Sequence, residues 1–98
     1  MVAALFKQEQ IDRIAHELAP DVIRIRYKVV PDWSGDPAIY FRVILSDEAS
    51  RGEHLAAVTS RVRGMLFDEL GLAEMEHIPY FRFRSQSEQE KLQEKAWD

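Results

Sequence analysis

Residues 22–45 read VIRIRYKVVPDWSGDPAIYFRVIL, and this stretch decides the fold. Two runs in which apolar side chains alternate with other side chains, several of them cationic, flank a loop rich in Asp, Ser, Gly and Pro. A period of two is typical of a strand with one buried face, and the loop residues are those that turns require. The stretch therefore predicts a β-hairpin with strands over 22–30 and 38–45, joined by a loop from Pro31 to Pro37.

Helical patterns lie on both sides of this hairpin. Apolar residues between positions 6 and 18 recur at the spacing of one helical stripe, and Pro20 ends that helix because the residue before a proline avoids the helical region. A longer helix is predicted after Ser46 and Asp47, beginning either there or later, at Gly52, with Gly71 as its stop. Gly64 lies within this helix and indicates either a kink or a close contact with a neighbouring element.

The last part of the chain predicts one more strand and one more helix. Residues 80–84, YFRFR, alternate again, and Ser85 with Glu88 forms a capping-box pattern that opens a mostly polar helix over 85–98. The order helix, strand, strand, helix, strand, helix predicts an α+β fold. We expect a two-layer sandwich in which two main helices cover one face of a three-stranded sheet. Residues 1–85 would form the single domain, and 86–98 a polar C-terminal helix or tail.

Composition narrows the classes of function. The chain has 98 residues and no cysteine, which excludes disulfides, zinc–thiolate sites and thiol nucleophiles. No stretch approaches the roughly 18 apolar residues of a membrane span, so we expect a cytoplasmic protein that does not enter membranes. No motif calls for a cofactor or a metal. A net charge of −4 argues against nonspecific adhesion of the whole molecule to nucleic acid.

The cations are nevertheless concentrated on one predicted surface. Strand parity places Ile23, Ile25, Tyr27 and Val29 inward with Ile39, Phe41, Val43 and Leu45, and leaves Ala38 and Ile44 on the other face. The charged and phenolic side chains that parity places outward are Arg24, Arg26, Lys28, Tyr40, Arg42, Tyr80, Arg82 and Arg84. Six of the thirteen Lys and Arg residues thus share one face without a carboxylate. Like charges on neighbouring strands destabilise a sheet, so an anionic group is expected to complete this face.

Three sources of that negative charge remain open. The acidic C-terminal helix could fold back over the sheet, with Leu92 and Trp97 covering the Tyr and Arg side chains. A protein partner or a second copy of the chain could bind there, since Arg and Tyr are enriched at interface hot spots. Structured RNA could place phosphates on the arginines and stack bases on Tyr40, Tyr80 or Trp33. We predict a protein partner or self-association, with RNA as the alternative, and Trp33 as part of the binding surface.

Chemistry by carboxylates is a third hypothesis. Asp32 and Asp36 share the hairpin loop and could form a catalytic pair or a magnesium site. Asp, Ser, Gly and Pro are also the residues that turns require, and Ser34-Gly35 and Asp36-Pro37 are turn dipeptides, so a turn-forming role is favoured. The sequence contains no catalytic motif, which favours a non-enzymatic protein.

Three segments of the chain resemble a known family. The order of elements, with "VVPDWSGDPAIYFRVIL", "SRVRGMLFDELG" and "IPYFRFRSQSEQEKL", makes residues 21–92 similar to type II K-homology-like domains and to the bacterial ribosome-binding factor A family. The resemblance implies a small cytoplasmic factor without a cofactor that contacts structured RNA on a ribosomal subunit. The stretch "DWSGDPAI" also resembles one in small uncharacterised bacterial proteins, which implies no activity.

Overall fold

The computed structural model describes residues 5–98, so the first four residues of the predicted domain lie outside the described range. The α+β prediction is confirmed. The elements in chain order are α1 (Gln8–Glu17), β1 (Val22–Pro31), β2 (Pro37–Leu45), α2 (Gly52–Leu70), β3 (Ile78–Ser85) and α3 (Gln86–Leu92). Short 3-10 helices follow α2 at Leu72–Glu74 and α3 at Lys95–Trp97. No helix among residues 5–98 is long and apolar enough to cross a membrane.

The sheet is mixed and has the strand order β1-β2-β3. β1 and β2 pair antiparallel as the predicted hairpin, with Arg26 opposite Arg42. β2 and β3 pair in parallel, with Arg42 beside Arg82. Because parallel neighbours need a crossover connection, α2 carries the chain back from one end of the sheet to the other. Each residue of the central strand β2 therefore has neighbours in both β1 and β3 on the same face of the sheet.

The core lies on one face of the sheet, beneath α1 and α2. The helices contribute apolar stripes that include Ile11, Ile14, Leu18, Val58, Val62 and Leu66, and the sheet contributes Ile25, Ile39, Phe41, Val43 and Leu45. Phe81 and Phe83 of the edge strand β3 pack against this cluster while remaining partly exposed. The phenyl ring of Phe41 stacks on that of Phe81 at 5.3 Å between centroids.

The predicted parity of β1 is wrong at its first residues. A register shift between Val22 and Arg24 marks a bulge, so that Val22 enters the core and Ile23 is 42% exposed. A bulge inserts one extra residue into a strand and changes the side of the residues before it. From Arg24 onward the predicted alternation holds, with Ile25 buried.

The structure decides between the alternatives that the sequence leaves open for the helices. α2 begins at Gly52, since the residues after Ser46 form a separate turn in which the Ser46 hydroxyl accepts a hydrogen bond from the Ala49 amide at 3.1 Å. Gly64 is exposed, and no atom lies within 4 Å of the position that a Cβ would occupy, so a close contact does not explain it. The predicted capping box of Ser85 and Glu88 is confirmed, but α3 ends at Leu92.

The chain reverses after α3. Gln93 adopts a left-handed conformation with φ of 51°, which ends the helix and turns the following residues back over the sheet. We call residues 93–98 the tail. Trp97 of the tail is 5% exposed, whereas Leu92 is 55% exposed, so of the two apolar residues in the alternative of a covering C-terminal segment it is Trp97 that is buried.

Candidate interaction surface

The polar face is the side of the sheet opposite the core, and strand register arranges its side chains in three rows. We call these the tail row (Arg24, Ile44, Arg84), the arginine row (Arg26, Arg42, Arg82) and the tyrosine row (Lys28, Tyr40, Tyr80). Each row crosses all three strands, because β2 pairs with both neighbours in register. The structure thus brings together the eight outward residues that parity predicts, while Trp33 lies in the hairpin loop.

The tail covers one end of the polar face. Arg24 Nε donates a hydrogen bond to the backbone oxygen of Trp97 at 3.0 Å, and its guanidinium lies 3.7 Å from the Asp98 carboxylate. Arg84 Nη2 contacts Glu94 Oε1 at 3.0 Å, and the Arg84 guanidinium carbon lies 4.2 Å from the centroid of the Trp97 ring. The tail therefore supplies part of the negative charge that the sequence calls for.

Part of the polar face is therefore covered by the chain's own C-terminal segment, which is one of the alternatives that the sequence leaves open. Ile44, predicted to face outward, is 1% exposed, and both α3 and the 3-10 helix of the tail contact its strand, β2. Arg26 Nε also donates to the backbone oxygen of Asp98 at 2.7 Å. Gln89, which gives no signal in a polar helical sequence, is buried and accepts a hydrogen bond from Arg84 Nη1 at 2.9 Å.

The rest of the face lacks such partners. Lys28 and Arg82 are exposed and Arg42 is half-buried, and none of the three forms an ion pair with a residue in the described part of the chain. Arg42 stands between Arg26 and Arg82 in the arginine row. Arg42 and Arg82 are therefore adjacent like charges, and no carboxylate of the described residues neutralises them.

The tyrosine row borders these cations. Tyr40 and Tyr80 stack with 4.9 Å between ring centroids and 12° between ring planes. Since this separation matches the spacing of adjacent strands, the rings stand side by side and each covers one face of the other. The Tyr80 hydroxyl donates to Asp32 Oδ2 at 2.9 Å, and this bond, with burial, raises the pKa of Tyr80.

The hairpin loop is a turn built around one carboxylate. Asp32 Oδ1 accepts hydrogen bonds from the Ser34 hydroxyl at 2.7 Å, the Ser34 amide at 2.9 Å and the Asp36 amide at 3.0 Å. These bonds, led by that of the Ser34 hydroxyl, hold the pKa of Asp32 below its ordinary value of 3.8. Both oxygens of Asp32 are thus engaged in the local structure. Within residues 5–98 no group of three or more His, Asp or Glu side chains is arranged to hold a metal ion.

The loop presents Trp33 to solvent. Trp33 is 93% exposed, while backbone hydrogen bonds from Asp32 to Asp36 and from Gly35 to Asp32, each of 2.9 Å, close the turn. A large aromatic group in this position contributes nothing to the core, so its conformation leaves it available for a contact outside the chain.

Comparisons of the chain with protein-family models, curated proteins and solved structures gave no match.

Proposed function

We propose that this protein is a non-catalytic interaction module that binds a protein partner through the open part of the polar face. The observation that carries the proposal is the arginine row, in which Arg42 and Arg82 are adjacent and have no counter-charge from the described chain. Like charges on paired strands destabilise a sheet, whereas an acidic partner would convert the same pair into a binding determinant.

The neighbouring aromatic residues suit a protein interface. Trp, Tyr and Arg are the residue types most enriched at hot spots, and the chain exposes Trp33 on the hairpin loop and carries Tyr40 and Arg82 on the polar face. The stacked tyrosines are also preorganised, because the Asp32 carboxylate fixes the Tyr80 hydroxyl. A rigid aromatic contact loses little conformational entropy on binding.

Self-association through the same face is less favourable than binding an acidic partner. Two copies meeting face to face would bring Lys28, Arg42 and Arg82 of each copy against the cations of the other. That arrangement adds repulsion without supplying a carboxylate. A second copy would bind better along the exposed edge of β1 or β3, where backbone groups lack a neighbouring strand.

Structured RNA is the second candidate. The exposed ring of Trp33 and the arginine row would suit base stacking and phosphate contacts, and the resemblance to K-homology-like domains implies the same partner. Two features favour protein instead. Tyr40 and Tyr80 cover each other's ring faces, and Asp32 and Asp36 place negative charge beside Trp33.

Paired charge reversals test the proposal. We expect the double variant Arg42→Glu with Arg82→Glu to abolish retention of the partner protein by the tagged chain in cell extract. Both substitutions place a negative charge at the centre of the face, where it repels an acidic partner. Arg13→Glu with Arg51→Glu, which changes the net charge equally at exposed sites on other elements, should leave retention unchanged.

The same experiment separates the candidates. Nuclease treatment should not affect retention of a protein partner, whereas RNA binding should be lost on that treatment and should weaken steeply with salt. Retention that survives Arg42→Glu with Arg82→Glu, in a variant that circular dichroism shows to be folded, would contradict the proposal.

A further inference from the structure

The tail binds to one end of the polar face, and its contacts show which chemical groups this face can bind. Carboxylate or backbone oxygens of Glu94, Trp97 and Asp98 meet arginine side chains, and the indole ring of Trp97 lies under the Arg84 guanidinium. An acidic segment with one aromatic residue thus satisfies the tail row. The arginine row continues the same surface without such a segment.

We propose that the partner contributes an acidic peptide segment with an aromatic residue, and that this segment competes with the tail for the polar face. The inference rests on the proposed function and names the chemistry of its partner. With the tail in place, Lys28, Arg42 and Arg82 are available to a ligand. Displacement of the tail would add Arg24 and Arg84, together with Arg26, which keeps its ion pair with Asp12 of α1 at 3.9 Å, so a peptide that spans the rows meets all six cations.

The tail is attached in a way that permits exchange. Its hydrogen bonds to the strands are donated by arginine side chains, and no tail residue is paired as a strand. Of its six residues only Trp97 is buried. A groove of about 560 Å³ remains between the tail, α3 and β1, lined in part by Ile23, Arg24 and Gln93, so the tail does not fill its end of the face.

The helix that precedes the tail has its own attachment. The Ser87 amide donates to Asp47 Oδ1 at 2.9 Å, and Ser85 and Glu88 form the capping box. α3 is therefore anchored at its start independently of the tail. Release of the tail at Gln93 breaks the hydrogen bonds that the Gln89 side-chain amide donates to the Glu94 backbone oxygen and the Asp98 carboxylate, but leaves the anchors at the start of α3 in place.

A synthetic peptide of glutamates around one phenylalanine tests this inference. Affinities are measured on the chain with Trp33, which belongs to the proposed binding surface. A Trp33→Phe variant, in which Trp97 is the only tryptophan, serves as the reporter, since its emission shows whether the tail is docked. We expect the peptide to bind and to shift Trp97 emission to the red as the ring enters water. A matched peptide with glutamine in place of glutamate, and one with alanine in place of phenylalanine, should bind more weakly.

Weakening the tail should strengthen peptide binding. The apparent affinity of a ligand that competes with the tail is proportional to the fraction of molecules in which the tail is undocked. Glu94→Gln with Asp98→Asn removes two carboxylates that hold the tail, so we expect this double variant to bind the peptide about tenfold more tightly. Glu17→Gln with Glu76→Gln makes the same change in net charge at exposed sites elsewhere and should not. Trp97→Ala provides a second release variant, with circular dichroism as the check on folding.

Binding without a change in Trp97 emission, equal binding of the glutamine peptide, or unchanged affinity in the release variants would each overturn the inference. These failures are distinct from failure of the proposed function. If a protein partner is retained by the wild type and lost from Arg42→Glu with Arg82→Glu while the acidic peptide does not bind, only the partner's chemistry is wrong.

Discussion

Asp32 joins the hairpin loop to the polar face. One oxygen organises the turn through Ser34 and Asp36, and the other holds Tyr80 beside Tyr40. The turn itself was predictable, because Asp accepts hydrogen bonds from backbone groups two residues on. The bond to Tyr80 was not, since 48 residues separate the partners and their contact depends on the parallel pairing of β2 with β3.

Lowering the pH should reduce the free energy of unfolding of the wild type more than that of a variant without the Asp32 carboxylate. The folded-state pKa of Asp32 is lower than its ordinary 3.8, so its charge contributes stability above pH 3.8, and that stability is lost as the pH falls through the folded-state pKa. We therefore expect Asp32→Asn to lower the urea midpoint at neutral pH, and the difference from wild type to shrink by about pH 3.

The exposed carboxylate Asp68 provides the control for this titration. Asp68→Asn should leave the urea midpoint nearly unchanged at both pH values, because Asp68 accepts no side-chain hydrogen bond within residues 5–98. A difference between wild type and Asp32→Asn that stays constant with pH would contradict the assigned role of the Asp32 charge.

At the scale of elements, periodicity predicted every strand and main helix, because each buries one face. Element ends depended on particular residues. Gly71 ends α2 in a left-handed conformation with φ of 62°, as expected of a glycine after a helical stripe. Gln93 ends α3 in the same way, but a glutamine gives no such signal, and the predicted helix was therefore too long. The bulge at Ile23 could not be predicted either, because the alternation of apolar and cationic residues continues through it without a break.

Two glycine substitutions, which should change the free energy of unfolding in opposite directions, test the account of α2. Gly71→Ala should lower the free energy of unfolding by about 1 kcal/mol, because a Cβ is strained in the left-handed region. Gly64→Ala should raise it by up to about 1 kcal/mol, since alanine favours the helix and the site is open. Urea denaturation measures both. Destabilisation by Gly64→Ala would show that the site is more crowded than described.

At the scale of the whole molecule, the chain separates a core beneath two helices from a cationic polar face. Parity predicted the residues of that face, since a period of two determines which side of a sheet each residue takes. It could not predict how far the tail covers them. That outcome depends on the reversal at Gln93 and on contacts between residues more than 70 positions apart, such as Arg24 with Trp97.

An NMR titration of the isotope-labelled chain with its retained partner tests the central claim, that the partner binds on the open part of the polar face. We expect the largest shifts in Lys28, Arg42 and Arg82, with the indole signal of Trp33 and the tyrosine row, and small shifts in exposed residues of α1 and α2. Shifts concentrated on those helices, with the polar face unchanged, would contradict the account.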